Sequence, residues 1–174
     1  MKKYIFLDID GVIATPQNIE EGLWGLTPDC QERLGKIIEA TNAQIVLSSS
    51  WRHNDLDSTV SFMLSKGFLF CGRLIGVTIR AYHCIDKRMK VHLSIPRGVE
   101  IKQWIDTHIH SDNGKDLEYK KEGVDFTYVI LDDDSDMLLE HKDNFIQTDG
   151  EIGLTDINVS QAISILNFLK DTKN

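Results

Sequence analysis

Three short runs of β-forming apolar residues each stop abruptly at oxygen-bearing side chains, and no other feature of the chain restricts its fold as much. Tyr4-Ile5-Phe6-Leu7 ends in Asp8-Ile9-Asp10-Gly11, Ile45-Val46-Leu47 in Ser48-Ser49-Ser50-Trp51-Arg52, and Tyr128-Val129-Ile130-Leu131 in Asp132-Asp133-Asp134-Ser135-Asp136. Apolar runs without period-2 alternation suit strands buried on both faces, which is the environment of a parallel sheet between helices. The intervening sequence supplies the helices. Thr27 followed by Pro28 predicts an N-cap and first helical position, with Leu34, Ile37 and Ile38 at helical spacing. Further helices are predicted over 57–66, closed by Gly67, then after Pro96-Arg97-Gly98, and over 159–169. Residues 68–79 read as a third strand with a bend, 145–147 as a fifth, 12–27 as an irregular loop, 80–96 as a loop or small insertion, and 111–125 as a surface connection. Strands alternating with helices predict an α/β fold with a mostly parallel sheet.

Composition narrows the class. The chain has 174 residues, 41% hydrophobic and 8% aromatic, enough for one folded domain spanning 1–174. Its net charge of −8 speaks against a protein that coats nucleic acid generally. The charge is uneven: Arg73, Arg80, Lys87, Arg88, Lys90, Arg97 and Lys102 face only Asp86 and Glu100 within 73–102, a basic strip in an acidic chain. Such a strip can draw an anionic substrate to one face, or be solvated surface. No apolar run approaches a membrane span, and Asp8 ends the first one too early for a signal peptide, so no membrane association is expected. Cys30, Cys71 and Cys84 lack CxxC spacing, which predicts reduced thiols, no zinc and a cytoplasmic protein. His108-x-His110 is off a common helical face and is read as surface.

Ligands of open α/β sheets bind outside the carboxyl ends of the strands. If the three polar strand ends are neighbours, their carboxylates converge, and converging carboxylates raise one another's pKa unless a cation lies between them. Oxygen ligands of this kind suit Mg²⁺. One Asp pair alone is more simply a helix cap or loop start. Two pairs and a serine cluster in this order favour a metal site.

The same residues carry a family resemblance. Phe6-Leu7-Asp8-Ile9-Asp10-Gly11-Val12 resembles the first motif of the haloacid dehalogenase (HAD) superfamily, Ile45-Val46-Leu47 with its serines the second, a basic residue at a helix start the third, and Val129-Ile130-Leu131-Asp132-Asp133 the fourth. Ser49-Ser50-Trp51-Arg52, Arg97-Gly98-Val99-Glu100-Ile101 and Gly153-Leu154-Thr155 are further similar to HAD domains associated with RNA-repair proteins. The resemblance implies a Rossmann-like three-layer α/β/α sandwich without a large cap domain. It also implies a flap at 11–26, with at most a small basic lid at 73–96.

It further implies a Mg²⁺-dependent phosphatase acting on a phosphomonoester, either a small molecule or a nucleic-acid end. Asp8 would be the nucleophile and Asp10 the general acid and base. Mg²⁺ would be held by Asp8, the Asp10 carbonyl and Asp132, with Asp133 a direct ligand or one layer out and Asp136 an alternative. Ser49, or Ser48 if the strand ends earlier, would bind the phosphoryl oxygens, with Gly11 and Ser50 among the substrate contacts. Arg52 would reach substrate through its fork of donors. Arg97 is the expected motif III cation, with Lys102 and Lys87 as alternatives. Trp51 is read as a packing residue, with stacking on a base as the alternative. A phosphate-binding module without turnover, and a phosphotransferase with an acceptor other than water, are the competing readings.

Overall fold

A computed structural model describes residues 1–16, 25–80, 82–86, 91–109 and 125–168, with backbone alone for 82–86 and 91–94. Its centre is β1 (Lys2–Leu7), which pairs in parallel with β2 (Gln44–Leu47) on one side and β6 (Phe126–Asp132) on the other. β3 (Leu74–Val77) extends the sheet beyond β2 and β7 (Phe145–Gln147) beyond β6, giving the all-parallel order β3-β2-β1-β6-β7. The chain leaves β1 in one direction and returns to its opposite side, so the strand order reverses between β1 and β6. That reversal opens a crevice at the strands' carboxyl ends.

β1 shows why the apolar runs do not alternate. Ile5 and Leu7 belong to one buried cluster with Leu34 and Ile37 of α1 (Pro28–Thr41), Met63 of α2 (Leu56–Ser65) and Leu166 of α4 (Asp156–Asn167). Tyr4 and Phe6 face the other way, onto Ile101, Trp104 and Ile105 of α3 (Arg97–His108). Both faces are covered, so every position after Lys3 is buried. The result is the expected α/β/α layering, with no large cap evident among the described residues. No described helix is long and apolar enough to cross a membrane.

Local signals place most boundaries. Pro28 opens α1 after extended Thr27, although the Thr27 side chain makes no capping bond. Asp55 caps α2 by accepting from Ser58 N, and Gly67 follows it at φ +83°. α4 starts earlier than the apolar stripe predicts because Thr155 and Asn158 form a reciprocal capping box. One expectation needs correction. Part of the 73–96 segment, read as a possible lid, is sheet: Leu74–Val77 is edge strand β3, after a 3-10 turn at Cys71–Arg73. The 80–96 segment, read as a loop or small insertion, contains an antiparallel pair, β4 (Tyr82–Asp86) with β5 (Val91–Ser94). Most of the surface connection and much of the flap lie outside the described residues.

The start of α3 is pinned against the loop after β6. Asp136 Oδ2 accepts from Arg97 N at 2.8 Å, and Asp136 O from Gly98 N at 3.2 Å. Buried His141 holds the same turn through Nε2 and Gly98 O, 3.0 Å apart, while its Nδ1 meets the Tyr128 hydroxyl at 2.8 Å. A Cβ on Gly98 would lie 2.4 Å from Leu138 N and 2.9 Å from Met137 Cα, both backbone atoms. Gly98→Ala is therefore expected to lower unfolding free energy by about 1–3 kcal/mol in urea titration. Gly72→Ala, where the added carbon meets nothing, should stay within about 0.5 kcal/mol.

Candidate active site

The parallel register of β1 and β6 builds the site. Leu7 pairs with Leu131, so Asp8 and Asp132 leave adjacent strands side by side. Oxygens of Asp8, Asp132 and Asp133 lie within 4.8 Å of one another. Asp8 is 7% exposed and Asp132 1%, while Asp133 is half-buried. Asp8 Oδ1 accepts from Ile9 N at 2.8 Å and Asp132 Oδ1 from Asp134 N at 3.0 Å. Asp132 Oδ2 is buried with no hydrogen-bond donor, and Arg97 Nε stands 3.6 Å away.

Electrostatics follow from that crowding. Burial, followed by the Asp8 charge, pushes the Asp132 carboxyl up to about 8. Burial also raises Asp8, against the opposing pull of a Ser49 hydrogen bond and the Arg97 charge, and raises Asp133. Three clustered carboxylates and an orphaned buried oxygen are a donor set that a hard divalent cation would complete, so the residues fit Mg²⁺.

Close approach of Asp133 depends on a residue without a side chain. Gly11 has φ +68°, and a Cβ there would lie 2.3 Å from Asp133 Cγ. Its carbonyl accepts from Thr148 Oγ1 at 2.8 Å, which ties the β1 turn to the loop after β7. Gly11 is thus placed as a spacer beside the acidic cluster.

The serine cluster divides among three environments. Ser48 is buried with its Oγ 3.2 Å from Thr78 Oγ1, inside the sheet end and not at the crevice. Ser49, one residue on, is the serine beside Asp8. Ser50 is exposed and donates to Asp10 Oδ2 at 3.1 Å. Of the two serines considered for the phosphoryl oxygens, the structure brings only Ser49 to Asp8.

Arg52 is placed differently from the expectation of a substrate contact. Its side chain is buried, donating through Nη1 to Ser49 O at 2.5 Å and through Nη2 to Ile79 O at 2.9 Å and Glu100 Oε2 at 2.6 Å. It supports Ser49 from behind. Glu100 Oε2 also lies 3.8 Å from Arg97 Nη1, so one buried carboxylate links the second and third motif segments. Among the described residues, Arg97 is the cation at the acidic cluster. Lys102 pairs instead with Asp106 at 3.0 Å and Glu140 at 3.7 Å, and Lys87 lies outside the described residues. Asp136, an alternative metal ligand by spacing, caps α3 through its bond from Arg97 N.

Asp10 stands apart from the cluster, and its main partner was not foreseen. Trp51 Nε1 donates toward both carboxylate oxygens, at 2.9 Å to Oδ1 and 3.0 Å to Oδ2. Glu100 and Thr148 were missed as well; a buried Glu four residues after Pro96 carries no signal without knowledge of Arg52's position. Beside Trp51 a cleft of about 480 Å³ opens between Ser50, His53, Asn54, Phe62 and Arg80. Arg80 reaches Ser50 O at 2.5 Å from the cleft's rim. His108 stacks on Trp104 at 4.5 Å and serves packing, while His110 lies outside the described residues.

A folded-state pKa raised above the ordinary 3.8 means that the native protein binds more protons than the unfolded chain across the interval. The contribution of Asp132 is therefore fully present below about pH 4 and lost as pH rises toward about 8. The metal-free protein should melt at progressively lower temperature between pH 5 and 8. Asp132→Asn should flatten that slope, as followed by circular dichroism in EDTA.

Comparison with known proteins agrees with this geometry. Residues 4–159 match the family described as the HAD domain in Swiss Army Knife RNA repair proteins. Neither the curated proteins nor the solved structures give a significant match. At the level of the superfamily, the domain is of phosphohydrolase type. With the matched segment running from β1 into α4 and taking in all four polar strand ends and helix starts described above, the chain belongs to the HAD domain family of Swiss Army Knife RNA repair proteins.

Proposed function

We propose that this chain is a Mg²⁺-dependent phosphatase that hydrolyses a phosphomonoester through an aspartyl-phosphate on Asp8. The observation that carries the reading is the division of labour among the acids. Asp8, Asp132 and Asp133 converge around an oxygen with no donor, while Asp10 is held outside that cluster by Trp51 and Ser50.

Asp8 attacks phosphorus in line; the new O–P bond forms as the ester P–O bond breaks. Asp10 delivers its proton to the departing ester oxygen. In the second half, Asp10 takes a proton from water as that water attacks phosphorus, and the Asp8–phosphate bond breaks to release inorganic phosphate. Ser49 donates to the transferring phosphoryl oxygens, and Arg97 offsets the charge that grows on them. A bound Mg²⁺, held by Asp8, Asp132, Asp133 and the Asp10 carbonyl, would offset the repulsion between an anionic carboxylate and an anionic phosphoryl group.

The family description and the cleft beside Trp51 favour a bulky substrate, a nucleotide or a nucleic-acid end. Arg80 belongs to the basic strip and sits at that rim. Charge reversal at Lys87 and Arg88 should then raise KM for a phosphorylated oligonucleotide and leave KM for a small phosphoester in place. An equal effect on both would remove the strip from substrate binding.

The primary test is p-nitrophenyl phosphate hydrolysis across a Mg²⁺ titration, with melting temperature recorded in parallel at pH 8. Turnover should require Mg²⁺ and fall at least about 10³-fold in Asp8→Asn. Mg²⁺ should raise the melting temperature of the wild type but not of Asp132→Asn. Hydrolysis unchanged by Asp8→Asn would refute the mechanism. A Mg²⁺-dependent melting shift without turnover on any phosphoester would favour the binding module.

A further inference from the structure

We infer that Trp51 is a positioning residue for the proton-transfer step: its indole N–H fixes the plane in which Asp10 presents its carboxyl group. The inference rests on the proposed role of Asp10 as general acid and deepens it.

The geometry is specific to an indole. Nε1 is nearly equidistant from the two oxygens of Asp10, at 2.9 and 3.0 Å, and Ser50 Oγ adds a third contact, to Oδ2 at 3.1 Å. A carboxyl on two rotatable bonds, next to a tight turn, would otherwise turn readily about its terminal torsion, whose energy wells are broad. Donors on both oxygens remove that freedom and leave the remaining lone-pair direction of Oδ1 for the transferable proton. A trapped proton donor matters because a misplacement of about 1 Å at a reacting group can cost 10²-fold in rate.

Trp51 is itself held from two sides. Its ring meets Phe62 of α2 edge-on, centroids 5.9 Å apart, and its backbone N–H donates to Ser49 Oγ at 3.3 Å. The loop after β2 thus places two functions from consecutive positions: Ser49 at the nucleophile, and Ser50 with Trp51 at the acid. An aromatic residue kept only for packing needs no donor. Here the one polar atom of the side chain is aimed at a carboxylate that belongs to the site.

The test exploits leaving groups that differ in their need for a proton. A 2,4-dinitrophenolate leaves as a stable anion, whereas an alkoxide must be protonated as it departs. kcat/KM reports events through the first phosphoryl transfer, so slow hydrolysis of the aspartyl-phosphate does not mask the effect. Trp51→Phe keeps the ring against Phe62 and deletes the N–H. The ratio of kcat/KM for an alkyl phosphomonoester to kcat/KM for 2,4-dinitrophenyl phosphate should fall about 10- to 100-fold in this variant. Ser50→Ala, at an exposed position, should lower the same ratio by a smaller factor. General damage to the fold or to phosphate binding would depress both substrates together and leave the ratio in place.

Asp10→Asn separates the two levels of the argument. A collapsed ratio in both Asp10→Asn and Trp51→Phe supports the inference. Collapse in Asp10→Asn alone overturns the role of Trp51 and preserves that of Asp10. An unchanged ratio in Asp10→Asn overturns both. A readout independent of turnover completes the test: in ¹⁵N-labelled protein without substrate, Asp10→Ala should move the Trp51 indole N–H resonance upfield and speed its exchange. An unmoved resonance would overturn the contact itself.

Discussion

Two carboxylates are forced together by a register. Pairing of Leu7 with Leu131 leaves Asp8 and Asp132 no choice but adjacency at the mouth of the crevice, both nearly dry. Desolvation raises the pKa of each, and the Asp8 charge adds to it at Asp132, which reaches about 8. Much of the surrounding structure serves to tolerate that arrangement. Ile9 and Asp134 donate backbone N–H groups, Ser49 donates from the loop after β2, and Arg97 approaches from the start of α3. Gly11 yields the space into which Asp133 leans. Such strain concentrates where a ligand relieves it, and a divalent cation is the ligand these oxygens match.

A second layer holds those partners in place. Buried Glu100 binds Arg52 at 2.6 Å and stands 3.8 Å from Arg97, so the serine loop and the cation of the site share one carboxylate. A buried ion pair adds little net stability, yet loss of one partner strands the other charge, which resists rearrangement. Asp136, His141 and Gly98 then clamp the first turn of α3 to the loop after β6. Motifs far apart in sequence are thereby fixed relative to one another by direct contacts and not by the sheet alone.

Much of the fold was legible because its signals are local. Pro28 after Thr27, Gly67 after α2, and apolar strands ended by acids each constrain their own neighbourhood. The β4–β5 pair was not legible, since 80–96 lacks the turn dipeptides that mark a hairpin. At the site, Ser48 against Ser49 could not be decided from sequence, because one residue of register sends a side chain to opposite faces. Arg52 was misread for a related reason: adjacency to a predicted phosphate site does not say on which side of the loop its guanidinium falls.

The order of four polar strand ends and helix starts, written in the amino-acid sequence, determined the α/β architecture, the family and the acids that meet. These depend on hydrophobic period and on residue type at strand ends, which are properties of short segments. Tertiary structure decided which neighbour each polar group acquires: Ser49 at Asp8, Arg52 inward to Glu100, Asp136 to a helix start, Trp51 to Asp10. Hydrogen bonds and ion pairs act over about 3–4 Å in set directions. Only the packed chain places separate segments that close.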